Sequence, residues 1–232
     1  MKTSTNIILV YVFLILALIL TLFILAKNNM KVKETNKLAA VVTTLPLDPS
    51  FNVVVVDIAC VCQISLEDSA YITWTRRDDD LDYGDLTRLS NDTLYVIKTP
   101  NRDPESMVIH TPAIKTVVAR HFSTVALVNA TQVNLTIVNQ NGDVVLKDYV
   151  ADGVNKTETL NLIVLADAGR VQVETAFKSL TATMNGGELI TNQTVGQSVN
   201  LNLTNKSTVR LAKSPGTMTV KTDQTSKVVI DD

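Results

Sequence analysis

The chain has 232 residues, a formal net charge of -2 and a sequence isoelectric point near 5.7. That balance excludes the clustered basic face that nucleic acid requires, and no run of like charge forms an acidic or basic tail. With only two cysteines, Cys60 and Cys62, a disulfide-stapled fold is excluded. The part beyond the apolar N-terminus can bury roughly 70% of its unfolded surface as one domain.

From Ile7 to Ala26 the sequence is almost unbroken Ile, Leu, Val and Phe, interrupted mildly by Tyr11 and Thr21. About twenty residues at about 1.5 Å each cover the roughly 30 Å of a bilayer's hydrocarbon core. A soluble core helix would carry a polar stripe, and none is present. Lys27-Asn28-Asn29 follows without a small-x-small cleavage motif, so an uncleaved anchor is expected rather than a signal peptide. Lys27, Lys31, Lys33 and Lys37 follow the span, and the positive-inside rule alone would keep the remainder in the cytoplasm. Long domains translocate despite flanking charge, and the Asn/Thr-rich β character that follows favours export. The expected location is the bacterial inner membrane, crossed once, with an extracytoplasmic C-terminal domain.

The domain plan is therefore an anchor over 1–26 (span 7–26), a juxtamembrane linker over 27–48 and a β domain over 49–232. Pro46 and Pro49 favour extended backbone and mark the boundary. Phe51–Ile58 and Cys60–Leu66 predict two strands with a tight connection. Cys60 and Cys62 fall on one face as small buried hydrophobes, since two thiolates without further ligands make no zinc set. Ser69–Thr75 predicts a third strand with Ile72 and Trp74 on one face. Asp78, Asp80 and Asp82 alternate as in a calcium loop. The glycine, Gly84, comes one place late, and Leu89 stands where a bidentate Glu belongs, so a solvated turn is expected.

Leu89–Ile97 reads as an Asn-Asp turn feeding an alternating strand, and Ser106–Val118 contains Thr111-Pro112-Ala113-Ile114. The order Leu94-Tyr95-x-Ile97, a loop, then Val108-Ile109-x-Thr111-Pro112-x-Ile114-x-x-Val117 resembles the putative auto-transporter adhesin, head GIN domain family. The resemblance runs from about Phe51 to the C-terminus. The family's glycine-rich turns correspond to Asn139-Gln140-Asn141-Gly142, Ala168-Gly169 and Asn185-Gly186-Gly187, while Arg120-His121-Phe122-Ser123 has lost the glycine. It implies a right-handed, single-stranded β-helix or solenoid in the cell envelope, with an adhesin-like role.

The residues themselves point the same way. From Val133 onward strand starts recur at roughly ten-residue intervals, as in stacked repeats. Alternation places Val133, Leu135, Ile137, Val144, Leu146, Leu160, Leu162 and Val164 inward. The later inward set is Val171, Val173, Leu180, Met184, Val199, Leu201, Leu203, Val209, Leu211, Met218, Val220, Val228 and Ile230. Asn, Thr, Lys and Arg are expected outside. An antiparallel β-sandwich would alternate similarly. Nearly every connection is too short for a crossover helix, which argues against α/β.

Chemistry-bearing residues are sparse. His110 and His121 lie beside strand ends with no nucleophile motif, so a triad is unsupported. Asp143, Asp148, Asp167, Glu174 and Glu188 could supply a glycosidase pair by composition only. Trp74 and Tyr71 lie on opposite strand faces and form no sugar platform. Asn134, Asn155 and Asn202 open sequons, meaningful only in a host that reads them. No catalytic, metal or cofactor residue is assigned and no cofactor is implied; binding residues and oligomeric state stay open. The expectation is a membrane-anchored, non-enzymatic envelope protein presenting a binding or adhesion surface to a glycan, the cell wall or a protein. An envelope-stress or signalling scaffold acting on a membrane partner is the alternative, and a carbohydrate-active enzyme ranks last.

Overall fold

The structure, a computed structural model, describes residue 21 and residues 41–76, 86–97, 107–129, 134–147, 160–192 and 197–231. Contacts divide the chain into two units, Met1–Val41 and Val42–Asp232. Of the first, only Thr21, in helical conformation, and Val41 are described. The rest of the Ile7–Ala26 span lies outside the described residues, and among those no helix is long and apolar enough to cross a membrane.

The second unit is all β. Its early strands are β1 (Val41–Pro46), β2 (Val53–Val56), β3 (Val61–Leu66), β4 (Tyr71–Arg76), β5 (Thr87–Ser90) and β6 (Thr93–Val96). Then come β7 (Met107–Thr111), β8 (Thr116–Arg120), β9 (Thr124–Val128), β10 (Asn134–Lys147) and β11 (Asn161–Val173). The last are β12 (Ser179–Asn185), β13 (Glu188–Thr191), β14 (Ser198–Thr204), β15 (Thr208–Leu211), β16 (Thr217–Thr222) and β17 (Lys227–Ile230). β1 falls within the stretch expected to be linker.

Two columns of parallel strands organise the unit. One runs β6, β2, β8, the first half of β10, the first half of β11, β12, β14, β16. The other runs β7, β3, β9, the second halves of β10 and β11, β13, β15, β17. Antiparallel pairing is confined, among the described registers, to β4 with β7 and β5 with β6. That is not the pattern of an antiparallel sandwich. β2 and β3 form where the sequence predicts them, but they pair with other strands and not with each other. The ten-residue spacing is half a repeat: each level contributes one strand to each column. Near the C-terminus equivalent residues stand 19 apart, as where the Ser207 N–H donates to Ser226 Oγ at 3.1 Å.

The inward ladders hold the unit together. Leu94, Val54, Val117, Ile137, Val164, Ala182 and Leu201 stack in register down one column, and all are buried. Each fully buried Leu or Ile contributes roughly 1.5–3 kcal/mol. Every described position expected inward from Leu135 to Leu211 is buried; Val133 lies outside the described residues. The last level departs from the pattern. Met218 is 41% exposed, and Val220, Val228 and Ile230 are only partly buried. β16 and β17 have a parallel neighbour on one side only, so their apolar side chains lack a covering layer.

Two further expectations are corrected. Asn139–Gly142 and Ala168–Gly169 are not turns between separate strands. β10 and β11 run through them as continuous strands, with register shifts around Asn139, Gln140 and Gly142. Hydrogen bonding survives because the neighbouring level bends at the same place, Gly142 facing Gly169. A Cβ on Gly169 would sit 2.0 Å from the Gly142 carbonyl oxygen, at φ +80°. Nor do all Asn and Thr face outward: Asn139, Thr111, Thr175 and Thr191 are buried. Asn139 occupies an inward rung between Ala119 and Ala166, whose small side chains leave it room. Its Oδ1 accepts from the Gly142 N–H at 2.8 Å, and its Nδ2 donates to Gly142 O at 2.8 Å and Arg170 O at 3.1 Å. A buried amide with its bonds made is stable, and this one pins the bend.

Candidate functional site

The bends between the two columns carry the departures from ordinary backbone. Left-handed φ values occur at His121 (50°) and Phe122 (61°), at Asn141 (68°), at Gly169, Gly186 and Gly187, and at Asn205 (55°) and Lys206 (63°). The Ser123 N–H donates to Arg120 O at 2.9 Å, closing a tight turn with both central residues at positive φ. Gly and Asn suit that conformation; a residue with an ordinary Cβ loses about 1 kcal/mol there. Most of these bends use Gly or Asn. The Arg120–Ser123 bend instead places His and Phe at both central positions.

Around that bend polar groups gather from three levels. Asp57, just after β2, has Oδ1 3.2 Å from His121 Nε2 and 3.7 Å from Arg120 Nη1. Arg120 Nε donates to Gln140 Oε1 on β10 at 2.8 Å. The Phe122 N–H donates to Asn141 O at 2.8 Å, fixing the apex, while its ring is 74% exposed. The ion pairs are half-exposed and contribute little to stability. What they do is orient a carboxylate, a guanidinium, an imidazole and an amide at one bend, whose apex carries an exposed phenylalanine.

A second cluster joins β3, β4 and β7. Glu67 Oε1 lies 2.9 Å from His110 Nδ1 and accepts from Ser65 Oγ at 3.1 Å; Oε2 accepts from the Tyr71 hydroxyl at 2.9 Å. His110 Nε2 is 3.2 Å from Thr73 Oγ1, and the Tyr71 ring stacks on the imidazole with centroids 4.0 Å apart. Burial works to raise the Glu67 carboxyl, but bonds from Tyr71, His110 and Ser65 outweigh it and hold the group below its ordinary value; the bond to Glu67 raises the Tyr71 phenol. Hydroxyl, imidazole and carboxylate stand in the order of a catalytic triad. β4 is paired on both sides, with β1 and β7, so its amides are engaged in ladders instead of forming an oxyanion hole beside Thr73. The cluster braces the β4–β7 pair.

The remaining sequence candidates resolve as follows. Trp74 is buried in the core and Tyr71 stacks on His110. Glu188 lies between Arg170 Nε (3.5 Å) and Arg210 Nε (3.6 Å). Glu174 accepts from Gln172 at 2.7 Å, and Asp143 and Asp167 are exposed. Asp148, Asn155 and the Asp78–Asp82 run lie outside the described residues, while Asn134 and Asn202 are exposed. Cys60 and Cys62 are free and buried; burial pushes the Cys60 thiol up to about 11 and, with the neighbouring Cys60, drives Cys62 higher still. Thr111 and Ile114, from the most family-like step, are fully buried, and Thr111 Oγ1 donates to Ala113 O at 3.0 Å; that step is structural. Among the described residues no group of three or more His, Cys, Asp or Glu is placed to hold a metal ion. The Asp57–Phe122 assembly was not assigned from sequence. Its signal was the loss of glycine at Arg120–Ser123.

No family model matches the sequence, and no curated protein matches it either. Solved structures do resemble the fold. The crystal structure of a "putative adhesin" from Bacteroides fragilis is similar with a TM-score of 0.50 and 12% identity, covering 82% of this chain and 96% of that one. Two others bear the same description. One from Parabacteroides merdae has a TM-score of 0.35, 12% identity and coverage of 83% and 93%. One from Parabacteroides distasonis has a TM-score of 0.34, 10% identity and coverage of 84% and 97%.

Proposed function

We propose that this chain is a non-enzymatic cell-envelope protein, held to the bacterial inner membrane by Ile7–Ala26, whose β unit presents an adhesive or binding surface outside the cytoplasm. In this reading the levels are rungs of a right-handed, single-stranded β-helix of the head GIN type. The observation that carries it is the shared fold with the Bacteroides fragilis structure, described as a "putative adhesin", over nearly all of that chain. The outer faces agree with it. Thr181 and Thr183, Asn200 and Asn202, and Thr219 and Lys221 stand exposed in register on β12, β14 and β16, a ladder of hydrogen-bonding groups suited to an extended polar partner.

The test incubates the full-length chain with isolated envelope fractions across a range of salt concentrations. Saturable retention that persists as salt rises is expected, and retention of nothing specific would refute the reading. Protease shaving of intact cells and spheroplasts carrying a C-terminal tag tests sidedness. A tag protected in both places the domain in the cytoplasm.

A further inference from the structure

The Arg120–Ser123 bend is where the fold spends stability on something other than folding. Its apex residues, His121 and Phe122, hold positive φ at 50° and 61°, where glycine would be at ease. The Phe122 ring gains no burial in return, being 74% exposed, and the His121 side chain is 70% exposed. Lys206 holds a similar φ at an exposed bend near the C-terminus. What singles out the Arg120–Ser123 bend is the combination of strain, an exposed aromatic residue and four polar side chains tied together beside it. The polar groups beside it narrow the ligand. Asp57 and Arg120 offset each other's charge, so the patch favours neither an anion nor a cation. A carboxylate accepts from hydroxyls, and guanidinium, imidazole and amide N–H groups donate to them. The ring offers a flat apolar face.

We propose that this bend is a carbohydrate subsite, in which Phe122 stacks against the apolar face of a neutral pyranose while Asp57, Arg120, His121 and Gln140 bond its hydroxyls. The inference deepens the adhesive reading and rests on it. A protein partner with an apolar pocket could also take a projecting phenylalanine. The fixed array of donors and acceptor at the same bend favours the sugar, because every hydroxyl can use both.

The experiment measures binding of chitotetraose and cellotetraose to the full-length chain, held in a detergent without a sugar headgroup, by saturation-transfer NMR and titration. One aromatic face with a few hydroxyl bonds gives a Kd of about 1 mM. Phe122→Gly removes the ring and relieves the backbone, so the variant is expected to unfold about 2–4 °C higher while losing at least tenfold in affinity. Phe122→Trp keeps binding. Lys206→Gly, at the corresponding bend near the C-terminus, gains stability likewise and leaves binding unchanged. Unaltered binding by Phe122→Gly, or failure of both sugars to saturate the parent chain, would overturn the subsite. If Phe122→Gly loses envelope retention that neither sugar competes, the ring serves a protein partner and the proposal is wrong. Envelope retention that survives Phe122→Gly intact would overturn the subsite and leave the adhesive reading standing.

Discussion

Replacing Asn139 tests how the bends are held. Its side chain makes three hydrogen bonds, at 2.8, 2.8 and 3.1 Å, to the Gly142 N–H, Gly142 O and Arg170 O. Only Oδ1 can meet the Gly142 N–H, so the amide's orientation is set by its partners. Asn139→Ala removes all three bonds at a position with no solvent access, stranding the buried Gly142 N–H and C=O that it bonded. At about 1 kcal/mol for each net bond, with an added penalty for the stranded donor, the variant should lose about 3–4 kcal/mol. For a unit of this size that is roughly 6–16 °C in the unfolding midpoint. Asn139→Asp should lose more, because a carboxylate oxygen would then face two carbonyl oxygens instead of donating to them. Asn202→Ala, exposed on β14, is the control and should change stability by less than about 0.5 kcal/mol. The assay is urea unfolding followed by far-ultraviolet circular dichroism, with m values compared to confirm that the same surface is exposed. An Asn139→Ala loss no larger than that of Asn202→Ala would refute the claim that this amide pins the bend.

Other outcomes follow from the same structure. Gly169→Ala should prevent folding or cost several kcal/mol, read in the same titration, because its Cβ would meet the Gly142 oxygen at 2.0 Å. Leu201→Ala, fully buried between levels, should cost about 2–5 kcal/mol, whereas Met218→Lys on the exposed last level should stay within about 0.5 kcal/mol. The Glu67 and Asp223 carboxyls are both held below their ordinary values. For Asp223 the chief cause is the Ser226 hydrogen bond, followed by the Asn205 N–H. A depressed folded-state value means that their stabilisation is complete above about pH 5, beyond the ordinary carboxyl range, and is lost as pH falls through the lower folded values. The Glu67→Gln, Asp223→Asn double variant should therefore flatten the acid limb of a melting-temperature profile between pH 7 and pH 3. Cys60 and Cys62, buried and held as thiols, should resist iodoacetamide at pH 8 until denaturant is added. Rapid labelling of the native chain would contradict their burial.

Much of the core was legible because alternation is a local signal. Leu135 through Leu211 read inward from sequence and are buried, since every second side chain of a strand must point the same way. The errors came where position in the stack mattered. Met218 has the same local pattern as Leu201, but its level lacks a neighbour on one side. Asn139 is polar by type and inward by register, and its partners, Gly142 and Arg170, include one from the next level. The chemistry was harder still. His121 was visible as a strand-end histidine, yet its carboxylate partner Asp57 is distant in sequence and reaches it only because β2 lies beside β8.

By itself the sequence determined the β class, the absence of a disulfide-stapled core, and most of the buried face. Each of these depends on composition or on a period of two, which a single strand carries in its own residues. Tertiary structure decided which strands are neighbours, placing β2 and β3 between the later β6–β7 and β8–β9 levels. It also decided which polar side chains are sealed and which groups meet at a bend. Parallel pairing between levels joins residues with no local signal of their contact, so only the assembled backbone brings Asp57 and Gln140 to the Arg120–His121 bend.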